Sequence, residues 1–319
     1  MDIDYLLAFQ SVREALGPAT EELVVVLSTG LLVVAFAAAL LIYWLVDKRQ
    51  GIYLLLSYSA GSLVNQTIKN TACVYRPWIR DARITPSASA IASASDYSFP
   101  SGHTQTAVSI FGGIAWLRRH ERAAISVICV VACVVVALSR NYLGVHTPQD
   151  VLVAAVVGIA GLWVSGRTLS WVDEKPARDA VVLACGLAIG IAFVLYISLK
   201  SYPMDYADGE LLVDPVKMTV SGYRVFGVYG GCLVGWFAER RLVRFDEHAS
   251  RRERILRIAL SAVIAGIGYL AVGAACGAIA GSAGEKFGGV FAAVLAAVWV
   301  GPWVAQRMAS GKATIASAK

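Results

Sequence analysis

From residue 23 to residue 46 the chain carries no charged side chain, and eight further apolar runs follow. In a bilayer only a helix satisfies every backbone N–H and C=O of such a run from within the segment itself. The later runs occupy 52–68, 101–117, 123–138, 151–164, 180–199, 221–237, 258–280 and 287–304. The expected fold class is therefore all-α, a polytopic membrane helical bundle. The first run outlasts a signal-peptide core and follows acidic rather than basic residues, so it is read as a retained span. The third and fifth runs are short for a hydrocarbon layer of about 30 Å. Both begin at a polar cluster. Composition agrees with the class: 16% of residues are charged, against about 25% in soluble domains.

The net charge of +6 is unevenly placed. If the nine runs alternate across the membrane, one side receives eighteen of the 28 Lys and Arg residues, including the run of arginines from Arg240 to Arg257. The positive-inside rule puts that side in the cytoplasm. The N-terminus is then outside and the C-terminus inside, and the arginine run reads as a topology anchor rather than a nucleic-acid surface. Of the six cysteines, only Cys73 falls on the outer side; the others lie within runs and read as small apolar packing residues.

Before the first run, residues 1–22 place Tyr5, Leu6, Phe9, Val12 and Leu16 at roughly helical spacing, ending at Gly17-Pro18. This is the pattern of an amphipathic helix lying at the interface. A loop of about 70–100, rich in Ser and Ala towards Tyr97, and an acidic segment at 200–217 with Asp205, Asp208, Glu210 and Asp214 are both expected outside. The last three runs are rich in glycine, which permits close helix contact.

Three polar clusters interrupt the apolar chain, all on the expected outer face. Pro100-Ser101-Gly102-His103 leads into a helix, with Ser101 at a natural N-cap and Gly102 allowing close backbone approach. The free N–H groups and partial positive charge of a helix start attract anions. Taken alone, the same cluster is equally an ordinary capped helix. In the third cluster, Ser139-Arg140 precedes His146, Thr147-Pro148 and Asp150. Thr147 can cap the fifth helix with Pro148 at its first position, and Asp150 then completes a capping-box variant. Asp150 also stands four residues after His146, where a carboxylate can hold one imidazole nitrogen and leave the other free to attack. The first cluster, Lys69 with Arg76-Pro77, adds two cations. Lys69 alone would read as a snorkelling anchor; beside two histidine clusters, Lys69, Arg76 and Arg140 suit the oxygens of a phosphoryl group.

The pattern Lys69-x6-Arg76-Pro77, Pro100-Ser101-Gly102-His103 and Ser139-Arg140-x5-His146-x3-Asp150 resembles the type 2 phosphatidic acid phosphatase superfamily, over about residues 23–200. The resemblance implies a six-span core at 23–200, with residues 201–319 as an accessory region of about three spans. It implies that His146 is the nucleophile, that Asp150 orients it, and that His103 protonates the leaving oxygen and then helps activate water. Lys69, Arg76, Ser101, Gly102 and Arg140 would hold the phosphoryl oxygens. No cofactor or metal is expected, and no outer cluster has metal-ligand spacing. The implied activity is hydrolysis of a lipid phosphate or diphosphate from the outer leaflet of the plasma (inner) membrane. Undecaprenyl diphosphate, phosphatidylglycerophosphate, phosphatidate and sphingoid phosphates are the candidate substrates, and the bilayer is the partner. Arg80 and Arg83 stand beside the site, where they read as solvated loop residues or contacts for a second phosphate. A lipid phosphotransferase would use the same motifs. A vanadate-dependent haloperoxidase shares the anion-site pattern but is usually soluble. An anion or lipid transporter would place its polar groups near mid-span rather than at span ends.

Overall fold

A computed structural model of the protein describes residues 2–207 and 209–316, with side chains described through residue 309. Asp208 and Lys319, counted in the charge pattern above, lie outside the described residues, as does the side chain of Lys312. Helix makes up about 81% of the chain. The β structure among the described residues is one hairpin of two-residue strands, so the fold is all-α.

The elements run α1 (Asp2–Leu16), α2 (Pro18–Leu45), α3 (Lys48–Ala72), two single turns α4 (Pro77–Arg80) and α5 (Ala88–Ile91), then α6 (Gly102–Ala107). A π-turn at Val108–Gly112 joins α6 to α7 (Gly113–Arg118), and α8 (Ala123–Tyr142), α9 (Pro148–Glu174) and α10 (Arg178–Leu199) follow. The hairpin β1 (Tyr206–Ala207) and β2 (Glu210–Leu211) precedes α11 (Pro215–Ala238), α12 (Arg251–Leu295) and α13 (Gly301–Ala316). The fifth apolar run is not short in the structure. Its helix, α9, starts at Pro148 and continues past residue 164 to Glu174, because loss of apolarity ends a membrane contact without ending a helix.

Among the described residues, five helical stretches are long and apolar enough to cross a membrane: Pro18–Leu45, Ala123–Tyr142, Pro148–Glu174, Arg178–Leu199 and Arg251–Ala309. Val26 on α2, Ile128 on α8 and Leu152, Val156 and Trp163 on α9 turn large apolar side chains outward, each more than 60% exposed. A surface of that kind belongs in lipid. The protein is an integral membrane protein. Of the remaining runs, α3 carries Asn65, Gln66, Lys69 and Asn70 buried along its length, the third is divided by the π-turn, and α11 is diluted by Arg224 and several glycines.

The chain divides into two compact units. One consists of Met1–Ala37, Ala60–Val164 and Leu199–Met218; the other of Ala38–Ser59, Ser165–Ser198 and Thr219–Lys319. In the first, α1 is tied down by Arg13, which is buried and donates to the carbonyls of Tyr142 (3.0 Å) and Thr85, with Glu21 3.5 Å away. A cation on a helix's last carbonyls satisfies acceptors that have no intrahelical donor. Ala90, Ala94, Leu143 and Val145 form a small core under this corner, with Val24, Val25 and Trp78 against it.

In the second unit, α12 is broken at Ala280 and at Gly281, whose φ of +62° only glycine adopts without strain. The two segments fold back as an antiparallel pair. A Cβ on Gly268 would meet Ala292, one on Gly273 would meet Gly289, and one on Gly301 would strike Ser261. The contact is therefore a seam of small residues, which draws helix backbones together in a medium that supplies no hydrophobic drive between them. Tyr43 and Trp44 donate to the carbonyls of Val298 and Ala297, both at 2.8 Å.

Candidate functional site

The three polar clusters meet within the first unit. α8 ends at Tyr142, and Gly144 follows with a φ of +71°, the left-handed position that commonly closes a helix. This turn delivers His146 to the start of α9. Asn141 Nδ2 holds the His146 carbonyl at 2.8 Å. At the start of α9 the expected capping box forms: Thr147 N–H donates to Asp150 Oδ2 at 2.9 Å, and Asp150 N–H to Thr147 Oγ1 at 3.4 Å. The same Oδ2 stands 3.2 Å from His146 Nδ1. The helix cap and the imidazole clamp, which the sequence leaves as alternatives, are one carboxylate oxygen performing both. Ser98, which the sequence reading did not single out, also donates its hydroxyl to that oxygen.

This arrangement fixes the tautomer. A carboxylate accepts only, so Nδ1 of His146 carries the proton. The other nitrogen, Nε2, lies 3.0 Å from Arg76 Nη1. A guanidinium donates only, so Nε2 presents a lone pair. His146 is buried, and burial together with the Arg76 charge pushes its imidazole well below the ordinary histidine value, against the pull of Asp150. The folded protein therefore refuses a proton that the unfolded chain takes up below about pH 6.5. Stability falls as pH drops through that value. The thermal midpoint in detergent is expected to decrease between about pH 7 and about pH 5, and His146→Gln is expected to remove part of that decrease.

Ser101 is the N-cap of α6, its Oγ accepting from Thr104 N–H at 3.4 Å and standing 3.1 Å from Thr104 Oγ1. Its own N–H donates to the Asp150 carbonyl at 3.0 Å, which joins the second cluster to the third. Gly102 is exposed, and no atom lies within 4 Å of where its Cβ would stand, so the backbone there is open to a ligand. His103, the second residue of α6, is partly exposed.

The cations are buried: Lys69, Arg76 and Arg140 are each 3% exposed or less. Lys69 Nζ donates to the Tyr97 carbonyl at 2.6 Å; Arg76 donates to the carbonyls of Asp96 (2.8 Å) and Val145 (2.9 Å). Asp96 supplies a carboxylate to both, 3.1 Å from Lys69 Nζ and hydrogen-bonded to Arg76 Nη2. Burial would raise the Asp96 carboxyl, but Lys69 and Arg76 hold it well below the usual carboxylate range. Among the described residues Arg140 donates to Ser93 Oγ at 3.2 Å, and its buried Nε has no partner. A buried guanidinium with no counter-charge is costly unless an anion arrives.

Arg83 pairs with Asp81, and Arg80 with Asp2 at 3.0 Å; Arg83 is well exposed. Both are engaged by carboxylates, one in the loop after α4 and one at the start of α1.

Residues 50–174 match the PAP2 superfamily. A 140-residue stretch is 33% identical to the protein named undecaprenyl-diphosphatase BcrC of Bacillus subtilis (strain 168), covering 43% of this chain and 68% of that protein. The chain belongs to the PAP2 superfamily. Another relative, phosphatidylglycerophosphatase B of the same organism, is 32% identical over 117 residues, 34% of this chain. The match spans about half of that relative, 53%. An undecaprenyl-diphosphatase of Sulfolobus acidocaldarius is 28% identical over 140 residues, 44% of this chain and 64% of its own length. No solved structure matches the chain. The family match covers all three clusters, and residues 1–49 and the helices from α10 onward lie outside it.

Proposed function

We propose that the protein is a membrane lipid phosphatase that hydrolyses a lipid phosphate or diphosphate through a phosphohistidine on His146. The observation that carries this reading is the orientation of the imidazole, with Nδ1–H on Asp150 and the Nε2 lone pair turned towards Arg76. The curated relatives are named for phosphatidylglycerophosphatase and undecaprenyl-diphosphatase activities, which supports a phosphorylated lipid as substrate.

In the first step Nε2 attacks phosphorus, the N–P bond forms, and the P–O bond to the lipid breaks. His103, protonated, gives its proton to the leaving oxygen. The imidazole of His146 becomes cationic as it is phosphorylated, and the Asp150 carboxylate stabilises that charge. Lys69, Arg76, Arg140, the Ser101 hydroxyl and the Gly102 N–H hold the phosphoryl oxygens. In the second step His103 takes a proton from water as the water oxygen attacks phosphorus. The N–P bond breaks, Nε2 regains its lone pair, and orthophosphate leaves.

The reading places the six spans of residues 23–200 as the catalytic core and about three spans of 201–319 as an accessory region. The basic excess supports a cytoplasmic C-terminus, an outer N-terminus and an extracytoplasmic site in the plasma membrane. The test is to quench turnover of a lipid carrying ³²P in its phosphate and recover label on the protein. Acid-labile, alkali-stable label that maps to His146 is the expected result. Label on another residue, or rapid turnover without label, would refute the phosphohistidine.

A further inference from the structure

Two of the three cations that would hold the phosphoryl group already hold an anion. The Asp96 carboxylate reaches Lys69 Nζ with one oxygen (3.1 Å) and Arg76 Nη2 with the other. Its side chain is 26% exposed, whereas those of Lys69 and Arg76 are 4% and 2% exposed. The carboxylate therefore stands on the open side of the cations it covers.

The positions of those cations are secured without it. Lys69 is anchored by the Tyr97 carbonyl, and Arg76 by the carbonyls of Asp96 and Val145. The loop itself is pinned by Ser98 N–H to the Val74 carbonyl at 2.7 Å. What the carboxylate adds is negative charge at the place where a phosphoryl oxygen would bind. Arg140, by contrast, has no carboxylate within ion-pair distance among the described residues.

We propose that Asp96 is a resident competitor for the phosphate position, a carboxylate that the phosphoryl group displaces on binding and that returns to Lys69 and Arg76 to help expel orthophosphate. This rests on the site's being a phosphate site, as proposed above. The logic is that of a fractionally competent state: apparent affinity for any anion is reduced by the fraction of protein in which the carboxylate has moved away. Phosphate affinity is lowered for substrate and product alike. The substrate recovers the loss through its lipid chain, and free orthophosphate has no such recourse. Three uncovered buried cations would retain orthophosphate and slow the next turnover. Because the two cations hold the Asp96 carboxyl well below the usual range, it leaves as an anion by movement rather than by protonation.

The test compares wild type with Asp96→Asn, which keeps the size and one accepting oxygen, removes the charge, and leaves one of the two cations without its acceptor. Orthophosphate binding is measured by calorimetry on the detergent-solubilised protein, and product inhibition in a lipid phosphate assay. Expected are phosphate affinity and inhibition about tenfold tighter in Asp96→Asn, a lower KM for lipid phosphate, and a kcat no higher than that of wild type. If the carboxylate merely positions the cations, the variant binds phosphate as wild type does or more weakly, and the proposal is overturned. Calorimetry needs no turnover, so a wild type that binds phosphate but hydrolyses no lipid phosphate would refute the proposed activity while the comparison at Asp96 still decides this point. Should Asp96→Asn be only marginally stable, the rise of its thermal midpoint with phosphate concentration gives the same affinity. A variant that cannot be recovered even in phosphate marks Asp96 as a structural counter-ion and overturns the proposal.

Discussion

His146→Ala is expected to lower lipid phosphate hydrolysis by about 10⁴-fold or more, while orthophosphate binding stays close to that of wild type. The two readouts separate because the groups proposed to hold phosphate do not depend on the imidazole. Lys69 and Arg76 are anchored on main-chain carbonyls, and Ser101 is fixed by its bond to the Asp150 carbonyl and by the α6 cap. Removing the ring takes away the atom that would form the N–P bond and nothing that binds the oxygens. The change also empties a buried place, since His146 is 3% exposed, so His146→Gln serves as a volume-matched companion. Its amide can meet Asp150 but has no nitrogen lone pair to attack phosphorus. Phosphate release measured under single-turnover conditions decides the matter. If either variant retains turnover near the wild-type rate, His146 is not the nucleophile.

The chemistry of this site is legible in the sequence where it is local. Asp150 follows His146 by four residues and Thr147 by three, so the clamp and the cap are both written in adjacent positions, and the structure forms both. The N-cap at Ser101 and the break at Gly17-Pro18 are local in the same way. Asp96 and Ser98 are different. They reach the site because a loop closes over it, pinned through Ser98 to Val74 and through Ser101 to Asp150, and loop closure has no periodicity to read. The available signal is a lone carboxylate in a Ser and Ala stretch, at the site of Lys69 and Arg76, which otherwise lack one. Helix ends show the same division. Gly281 breaks α12 with a positive φ, close to the boundary set by apolarity at residue 280. The end of α9 at Glu174 was missed because apolarity records contact with lipid, whereas the helix persists as long as its hydrogen bonds do. α3 is the converse case: Lys69, which reaches the site, and the buried Asn65, Gln66 and Asn70 near it lower its hydropathy.

Asp150→Asn isolates charge from shape at the residue with the most duties. Asparagine can keep the capping bond from Thr147 N–H and the bond from Ser98, since its amide oxygen accepts both. It cannot stabilise a cationic imidazole as a carboxylate does. Turned over, its NH2 would face Nδ1 in place of Oδ2, which moves the ring proton to Nε2 and blocks the attacking lone pair at the cost of the capping bond from Thr147 N–H. The loss in kcat is expected to approach about 10³–10⁴-fold, the scale of a wrong tautomer in a histidine–carboxylate pair. KM should change little, because Asp150 touches no phosphoryl oxygen. Asp150→Ala removes the capping oxygen in either orientation, and should cost about 1 kcal/mol of stability, a cap's worth, with a thermal midpoint below that of Asp150→Asn. Nitrogen NMR of labelled histidine reports the tautomer directly: Nδ1–H in wild type, and a shift towards Nε2–H in Asp150→Asn. An unchanged kcat in Asp150→Asn would mean that the carboxylate serves only the helix start, and that His146 needs no partner to attack.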